Sequence, residues 1–264
     1  MSKPPPKNTF TYAYGTNPSQ LMVVPFPRER VKQWLPPGIE LGTPPWMGGD
    51  QHPVVLLWSR MTNVRVHPVP SFLINMTYGE LGIGVPWTHA TEGNLGYEGP
   101  AFFCGLFYVE DKLPLALGRL GGLPKYRAKV VATDTEYEVR QWRRDHMLAK
   151  LDWTAHEGAA PDDIRQRVIS AMSQPLVTRK SPTLGGDITW YGMRWFLDEA
   201  PMRPIKAKAT LRTTIAHTEL AWGQETYSGV GWERPDEAIC LESDYAFHLN
   251  GPITDGSQLP LYLP

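Results

Sequence analysis

Cysteine is scarce in this chain, and long apolar runs and an excess of charge of either sign are missing. Cys104 and Cys240 are the two cysteines among 264 residues, too few to cross-link a chain of this size. Both lie in apolar surroundings, so we predict reduced core thiols, as in a cytosolic protein. No apolar run of about 18 residues occurs, and the first ten residues lack the apolar segment of a secretory signal. The sequence therefore predicts a cytoplasmic protein without a membrane partner.

Charge and motif content exclude further classes of function. Lys and Arg together number 26 and Asp and Glu 27, so the chain lacks the broad positive field that nucleic-acid binding requires. The seven histidines are scattered and do not have the spacing of metal ligands. The sequence also lacks a dinucleotide fingerprint, a phosphate loop and a Gly-x-Ser-x-Gly elbow. We expect no metal and no cofactor. Lysine remains for covalent chemistry, with carboxylates to move protons.

Proline and glycine are abundant, with 26 and 24 residues, which favours short strands joined by turns. Polar and apolar residues alternate in "KAKATLRT" (206–213) and "DTEYEVRQW" (134–142), which predicts strands that are exposed to solvent on one face. The continuous apolar runs "PVVLLW" (53–58), "AFFCGLFYV" (101–109) and "LPLALG" (113–118) predict strands covered on both faces. Amphipathic helices are predicted over 27–38 and 161–175. The fold class is therefore mainly β with a few peripheral helices, as one domain over 9–264 after a disordered tail over 1–8.

Lys125 differs in context from the other lysines. In "GRLGGLPKYRAKV" (118–130) it follows a glycine turn and Pro124, which together can aim its side chain into the interior. Lys129, Lys206 and Lys208 lie instead in polar alternation and are predicted to be solvated. Desolvation lowers the pKa of a lysine, and a neutral amine attacks a ketone to form an imine. The local pattern leaves two alternatives open, a nucleophile and an ordinary surface cation.

Three segments carry a resemblance to a known family. "LPLALGRLGGLPKYRAK" (113–129) resembles the lysine segment of the acetoacetate decarboxylase superfamily, and "INMTYGELGIGVPW" (74–87) resembles its Tyr-x-Glu strand. "RERVKQWLPPGIEL" (28–41) is similar to the helix and turn of that family. The resemblance implies an antiparallel double-cone barrel, Lys125 as the imine-forming residue, Glu80 as the matching glutamate, and a homo-oligomer.

The sequence also departs from the pattern that the resemblance implies. Tyr126 stands where the decarboxylases carry a second lysine, and Asn17 falls near the place of an arginine associated with the substrate carboxylate. A further family acid has no counterpart, since that segment carries Arg60 and Arg65 instead. These losses put decarboxylation in doubt without affecting imine formation. They favour the branch of the superfamily that acts as pyruvate aldolase-dehydratases.

The hypothesis from the sequence is a Schiff-base lyase that joins a 2-oxo acid such as pyruvate to an aldehyde and then removes water. Decarboxylation of acetoacetate or another β-keto acid through the same imine is the alternative, and a non-catalytic ligand-binding barrel is a second one. The partners expected are thus small oxo acids and aldehydes. The candidate catalytic residues are Lys125, Glu80 and Tyr126. The candidate substrate-binding residues are Arg119, Arg60, Tyr78 and Phe107. Three later aromatic residues are candidates either to close the pocket or to fill the core: Tyr191, Trp195 and Tyr245.

Overall fold

The structure is a computed structural model, and it describes residues 11–67, 70, 73–93, 95–179, 188–212, 225–230 and 238–253. The disordered tail predicted for residues 1–8 lies outside these ranges. Within them, thirteen strands and three helices follow one another along the chain. The strands are β1 (Thr11–Pro27), β2 (Ile39–Leu41), β3 (Gln51–Val66), β4 (Met76–Ala90), β5 (Ala101–Val109), β6 (Lys125–Ala132), β7 (Glu136–Gln141), β8 (Met147–Ala155), β9 (Leu176–Arg179), β10 (Ile188–Trp195), β11 (Met202–Leu211), β12 (Glu225–Val230) and β13 (Ile239–Ile253). The helices are α1 (Arg28–Trp34), α2 (Lys112–Leu120) and α3 (Asp162–Met172).

The strands form one sheet in the order β12-β11-β8-β7-β6-β5-β9-β10-β13-β1-β3-β4-β2, with additional pairings between β11 and β13 and between β5 and β4. The pairings are antiparallel except those of β5 with β6 and with β9, which are parallel. The prediction of a mainly β chain with a few helices is confirmed. The double-cone barrel implied by the resemblance stays a prediction.

The two helices predicted from the sequence are confirmed as α1 and α3. By contrast, the prediction of a strand over "LPLALG" is wrong, because these residues belong to α2. A short apolar run fits a strand and a helix segment equally well, and Pro114 lies in the first helical turn, where a proline is tolerated. Leu113 and Leu120 are exposed, so this helix lies at the surface with one side in water. None of the three helices in the described ranges is long and apolar enough to cross a membrane.

Both faces of the sheet are buried, in two separate hydrophobic clusters. On β1, Met22 and Val24 belong to one cluster, while Leu21 and Val23 belong to the other. Burial on both faces explains why the central strands are continuously apolar rather than alternating. Cys104 is a buried free thiol in one of these cores, and so is Cys240 in the other, as predicted.

Candidate active site

Lys125 is the first residue of β6, and its side chain is buried, with 6% of its surface exposed. Its ammonium donates a hydrogen bond to Oε2 of Glu80 on β4 and forms a buried ion pair with that carboxylate. The Nζ atom lies 5.1 Å from the ring centroid of Tyr78 and 5.2 Å from that of Phe107. A cation, an anion and two aromatic faces therefore meet in the interior, where an isolated charge would be costly.

Strand register brings these four side chains together. In the parallel pair β5–β6, Phe107 lies opposite Lys125, and in the antiparallel pair β4–β5, Glu80 lies opposite Val109. Lys125 and Glu80 thus come from the two strands that flank β5 on either side. Tyr78 is two residues before Glu80 on β4 and so projects from the same face. The sheet, rather than a loop, fixes the geometry of the pair.

The turn that leads from α2 into β6 shapes the space for the lysine stem. A Cβ atom placed on Gly118 would overlap Cδ and Cε of Lys125, so this glycine leaves the room in which the lysine side chain lies. Gly122 has a φ of +86°, a conformation that side chains other than glycine rarely adopt. Arg119 Nε donates to the Lys125 carbonyl oxygen at 2.8 Å, and the Tyr191 hydroxyl donates to the Gly121 carbonyl. Hydrogen bonds from Arg119 and Tyr191 therefore fix the conformation of the turn.

The electrostatics of the pair differ from the expectation based on burial alone. Burial by itself lowers the pKa of Lys125, but the charge of Glu80 and the hydrogen bonds to Glu80 and Tyr78 outweigh it and leave that pKa raised. Burial raises the pKa of Tyr78 to about 12, against the opposing effect of the Lys125 charge. The resting site thus contains a protonated lysine and a neutral phenol. A neutral amine requires transfer of a proton from Lys125 to an acceptor.

A small cavity of about 50 Å³ adjoins the pair. One water requires roughly 10–15 Å³ on this measure, so the space accommodates a compact molecule of a few heavy atoms. Among the described residues that line it, Lys125 and Glu80 are the charged ones. The other residues of the wall are mostly apolar and are contributed by seven strands, by α2 and by the turn after it: Ala13, Met61, Val64, Val66, Met76, Tyr78, Phe107, Pro114, Leu117, Gly118, Leu123, Leu176, Met193, Trp195, Phe247 and Leu249.

The structure brings some of the predicted site residues together and leaves others outside. Lys125, Glu80, Tyr78 and Phe107 meet at the cavity. Tyr126 does not line it; its half-buried ring lies 6.3 Å, centroid to centroid, from that of Tyr108. Successive residues of a strand point to opposite faces, so the residue after Lys125 projects away from the cavity.

Neither arginine that was predicted to bind substrate lines the cavity. Arg119 is on the exposed side of α2 and donates to a backbone carbonyl, while Arg60 is exposed and lines a separate polar cleft of about 660 Å³. Asn17, at the place of the family arginine, is buried and donates to the Tyr245 hydroxyl at 2.9 Å. Of the three later aromatic candidates, Trp195 lines the cavity.

Sequence reasoning missed much of the cavity wall. Met61, Phe247 and Leu249 come from β3 and β13, and no local pattern distinguishes them from ordinary core residues. Gly118 could have been found, since it is the glycine of the Gly-Arg pair in the segment on which the resemblance rests. Its role beside the lysine stem depends on a close approach of α2 to β6, which the sequence does not reveal.

Comparison with solved structures shows the same fold in several enzymes. The enduracididine biosynthesis enzyme MppR complexed with pyruvate matches with a TM-score of 0.58 at 13% identity, over 95% of this chain and 90% of that one. Acetoacetate decarboxylase from Legionella pneumophila matches with a TM-score of 0.55 at 14% identity, over 95% and 91%. An acetoacetate decarboxylase-like enzyme from Sphingomonas wittichii RW1 matches with a TM-score of 0.55 at 13% identity, over 91% of each chain.

The two comparisons of sequence differ in outcome. A search of curated proteins found no match. The model of the acetoacetate decarboxylase family, however, matches residues 4–194, which is well over half of the chain. The segment includes the whole lysine turn and the strand of Glu80. On this match, the chain belongs to the acetoacetate decarboxylase family.

Proposed function

We propose that this chain is a lysine Schiff-base lyase that removes carbon dioxide from a small β-keto acid. Lys125 forms the imine with the ketone, and Glu80 moves the protons. The observation that carries the proposal is the buried Lys125–Glu80 pair at the wall of a small apolar cavity. A lysine in such a place has a partner that can accept its proton and is shielded from competing solvent.

Imine formation begins with transfer of one proton from the Lys125 ammonium to the Glu80 carboxylate, along the hydrogen bond that joins them. The neutral amine attacks the carbonyl carbon, and the proton on Glu80 then serves to expel water from the carbinolamine. The product is a positively charged iminium on Lys125 beside a carboxylate that is again ionised. The pair thus exchanges a protonated amine for an iminium without a change in net charge.

The iminium provides the electron sink for carbon–carbon bond cleavage. The bond between the α-carbon and the carboxylate breaks, its electron pair moves toward the iminium nitrogen, and carbon dioxide and an enamine form. Addition of a proton to the enamine carbon and of water to the resulting iminium releases the ketone and restores Lys125. In sum, one β-keto carboxylate and one proton give one ketone and one carbon dioxide.

The lining of the cavity favours decarboxylation over condensation. No cation besides Lys125 lines it among the described residues, so a substrate carboxylate held there has little to compensate its desolvation. A carboxylate that leaves as carbon dioxide relieves this unfavourable state, whereas pyruvate keeps its carboxylate throughout. Tyr126 is outside the cavity, which weakens the reason for preferring condensation that the sequence offered.

Condensation of pyruvate with an aldehyde, followed by loss of water, is the second candidate. Tyr78 favours it, because a neutral phenol beside the lysine can protonate an aldehyde oxygen and later the departing hydroxyl. The fold is also shared with MppR, of which one structure contains the condensation product of pyruvate and imidazole 4-carboxaldehyde. The cavity volume of about 50 Å³ is small for two substrates.

Borohydride reduction tests both candidates with one protocol. The protein is incubated with acetoacetate or with pyruvate, reduced, digested and analysed by mass spectrometry of the peptide that contains Lys125. Release of carbon dioxide is followed in parallel, and pyruvate with an aromatic aldehyde is monitored for a new ultraviolet chromophore. We expect an adduct on Lys125 and carbon dioxide release from acetoacetate.

Two variants serve as controls for this experiment. Lys125→Arg should abolish the adduct, and Lys129→Arg, at an exposed position on the same strand, should leave it intact. An adduct without carbon dioxide but with the chromophore would favour the condensation. If neither oxo acid gives an adduct, both lyase candidates fail and the non-catalytic alternative gains.

A further inference from the structure

The apolar part of the cavity wall extends well beyond the Lys125–Glu80 pair. On β4, Glu80, Tyr78 and Met76 are two residues apart, so they project from the same face, and all three line the cavity. The four steps from Glu80 to Met76 span about 13 Å at the usual rise of a strand. The wall therefore has a charged end at the ion pair and an apolar end that lies some distance along the strands.

Four apolar side chains from four neighbouring strands form the apolar end. Met193 on β10 lies opposite Leu249 on β13. Ala13 on β1 lies opposite Leu249 on one side and opposite Val66 on β3 on the other. Residues directly opposite each other project from the same face, with Cβ atoms about 4.5–5.5 Å apart. These four residues, which we call the apolar row, all line the cavity and form one continuous surface.

The apolar row lies farther from Glu80 than Met76 does. On β3, Ser59 is opposite Glu80 and Val64 is opposite Met76. Val66, which belongs to the row, is two residues beyond Val64 in the direction away from Ser59. The described wall residues on this side of the ion pair are all uncharged. A substrate that reaches the row from the lysine therefore meets an apolar surface along its path.

The side chains of the apolar row face free space rather than a closed core. Ala13 and Val66 have exposed fractions of 7% and 6%, whereas Leu21 and Val55, on the same two strands and in the same hydrophobic cluster, have 2% and 1%. Apolar surface that borders such a space is stabilised when an apolar group covers it. A methyl group on the ketone carbon is too short to cover the row. The row thus favours a longer substituent.

Methionine provides the adaptable part of this wall. Met61, Met76 and Met193 come from three different strands. A methionine side chain is unbranched, has three rotatable bonds and fills irregular space in several ways. The free volume of about 50 Å³ is narrow for a wall of this length, so a chain that reaches the row must displace methionine side chains. Such adaptation suits a slim, unbranched chain better than a branched or aromatic group.

We propose that the substrate is a β-keto acid whose ketone carbon bears an unbranched alkyl chain, and that this chain lies against the apolar row. The inference rests on the proposed lysine-imine decarboxylation. The ketone carbon is bonded to Lys125 Nζ at the charged end, the carboxylate leaves there as carbon dioxide, and the alkyl chain extends along the wall toward Ala13 and Leu249. The balance of the reaction is unchanged, because the chain takes no part in bond breaking. It is released as part of the ketone.

Comparison of acetoacetate with β-ketohexanoate tests the alkyl chain. Burial of one methylene group favours binding about fourfold, and β-ketohexanoate has two more of these groups than acetoacetate. The value of kcat/KM, measured by release of carbon dioxide, should therefore be about fifteenfold higher for β-ketohexanoate. The ratio of the two values is taken within one protein sample, so it does not depend on the fraction of the protein that is folded.

Ala13→Leu tests the place of the chain. The larger side chain fills the middle of the apolar row and occupies the path of the substrate chain, so the ratio should fall to about one. Ala200→Leu is the matched control. Ala200 is also 7% exposed and belongs to the same hydrophobic cluster, but it does not line the cavity. The ratio in Ala200→Leu should equal that of the unaltered protein.

The outcomes separate this inference from the proposed function. A ratio at or below one in the unaltered protein, with carbon dioxide released from acetoacetate, would overturn the alkyl chain and leave the lysine-imine function standing. A high ratio that Ala13→Leu does not lower, or that both variants lower equally, would overturn its placement at the apolar row. If neither β-keto acid releases carbon dioxide or gives a borohydride adduct on Lys125, the proposed function fails and the inference fails with it.

Discussion

Replacement of Glu80 by glutamine should invert the pH dependence that Lys125 contributes to stability. In the unaltered protein, burial lowers the pKa of Lys125, but the charge of Glu80 and the hydrogen bonds to Glu80 and Tyr78 together outweigh it and leave that pKa raised. A group whose pKa is raised on folding contributes stability that is fully present below its unfolded pKa and is lost as the pH rises through the folded value. In Glu80→Gln the carboxylate is gone while the burial stays, so the folded state favours the neutral amine.

The magnitude follows from proton linkage. In the variant, the folded protein has a neutral lysine over a pH range in which the unfolded chain still has a charged one. Stability then rises with pH by about 1.4 kcal/mol per unit, or about 3 kcal/mol between pH 7 and pH 9. At neutral pH the loss of one partner from a buried pair costs about 3–5 kcal/mol. Glu80→Gln should therefore be strongly destabilised at pH 7 and recover much of the loss by pH 9.

Urea unfolding at pH 7, 8 and 9 measures this difference. Other titrating groups are common to all variants, so the double variant Glu80→Gln with Lys125→Met, which lacks both members of the pair, is the reference. The slope of the free energy of unfolding against pH in Glu80→Gln should exceed that of the double variant by about 1.4 kcal/mol per unit. Equal slopes would refute the reasoning, because they would mean that Lys125 stays hydrated when its partner is neutral.

Three further perturbations test the geometry of the site. Gly118→Ala adds a Cβ where the Lys125 side chain lies, so we expect a loss of about 1–3 kcal/mol in the free energy of unfolding and a lower yield of the borohydride adduct. An unchanged yield would mean that the lysine side chain can move aside. Tyr126→Phe should leave the yield of the adduct and the turnover rate within about twofold of normal, an effect below 1 kcal/mol, because the Tyr126 ring is outside the cavity. A large loss of turnover would assign this hydroxyl a catalytic role. Tyr245→Phe leaves the Asn17 amide without its acceptor and should cost about 1–3 kcal/mol in urea unfolding, whereas an unchanged midpoint would indicate that water replaces the hydroxyl.

Periodicity predicted the elements whose two sides differ in polarity. In β11 the lysines Lys206 and Lys208 are exposed while Ala207 and Ala209 are buried, as the alternation indicates. The same reasoning failed for residues 113–118, because an apolar run of six residues has no period that separates a strand from a helix. Because both faces of the sheet are buried, β3 and β5 show no alternation of polar and apolar residues. The sequence therefore indicates burial of these strands without indicating which of their residues face the cavity.

The resemblance, and not local pattern, predicts Lys125 and Glu80 as catalytic residues, and neither predicts that the two side chains pair. The two residues are 45 positions apart, and their meeting depends on the order β4-β5-β6, which no single segment contains. The line of buried serines that lies opposite Glu80, which consists of Ser59, Ser19 and Ser243, is a still harder case, since it needs the registers of three strand pairs at once. A register shift of one residue in any of these pairs would place one serine on the other face.

The position after the lysine illustrates why a sequence difference need not report on the reaction. Tyr126 replaces a charged family residue, and from the sequence this loss of a cation beside the nucleophile favoured condensation. In the structure the residue at this position projects away from the cavity because neighbours on β6 alternate between faces. The charge that sets the protonation of Lys125 comes instead from Glu80 across the sheet. Under the proposed function, the balance between loss of carbon dioxide and formation of a carbon–carbon bond therefore depends on whether the cavity wall can stabilise a carboxylate, and Lys125 is the one cation among the described residues of that wall.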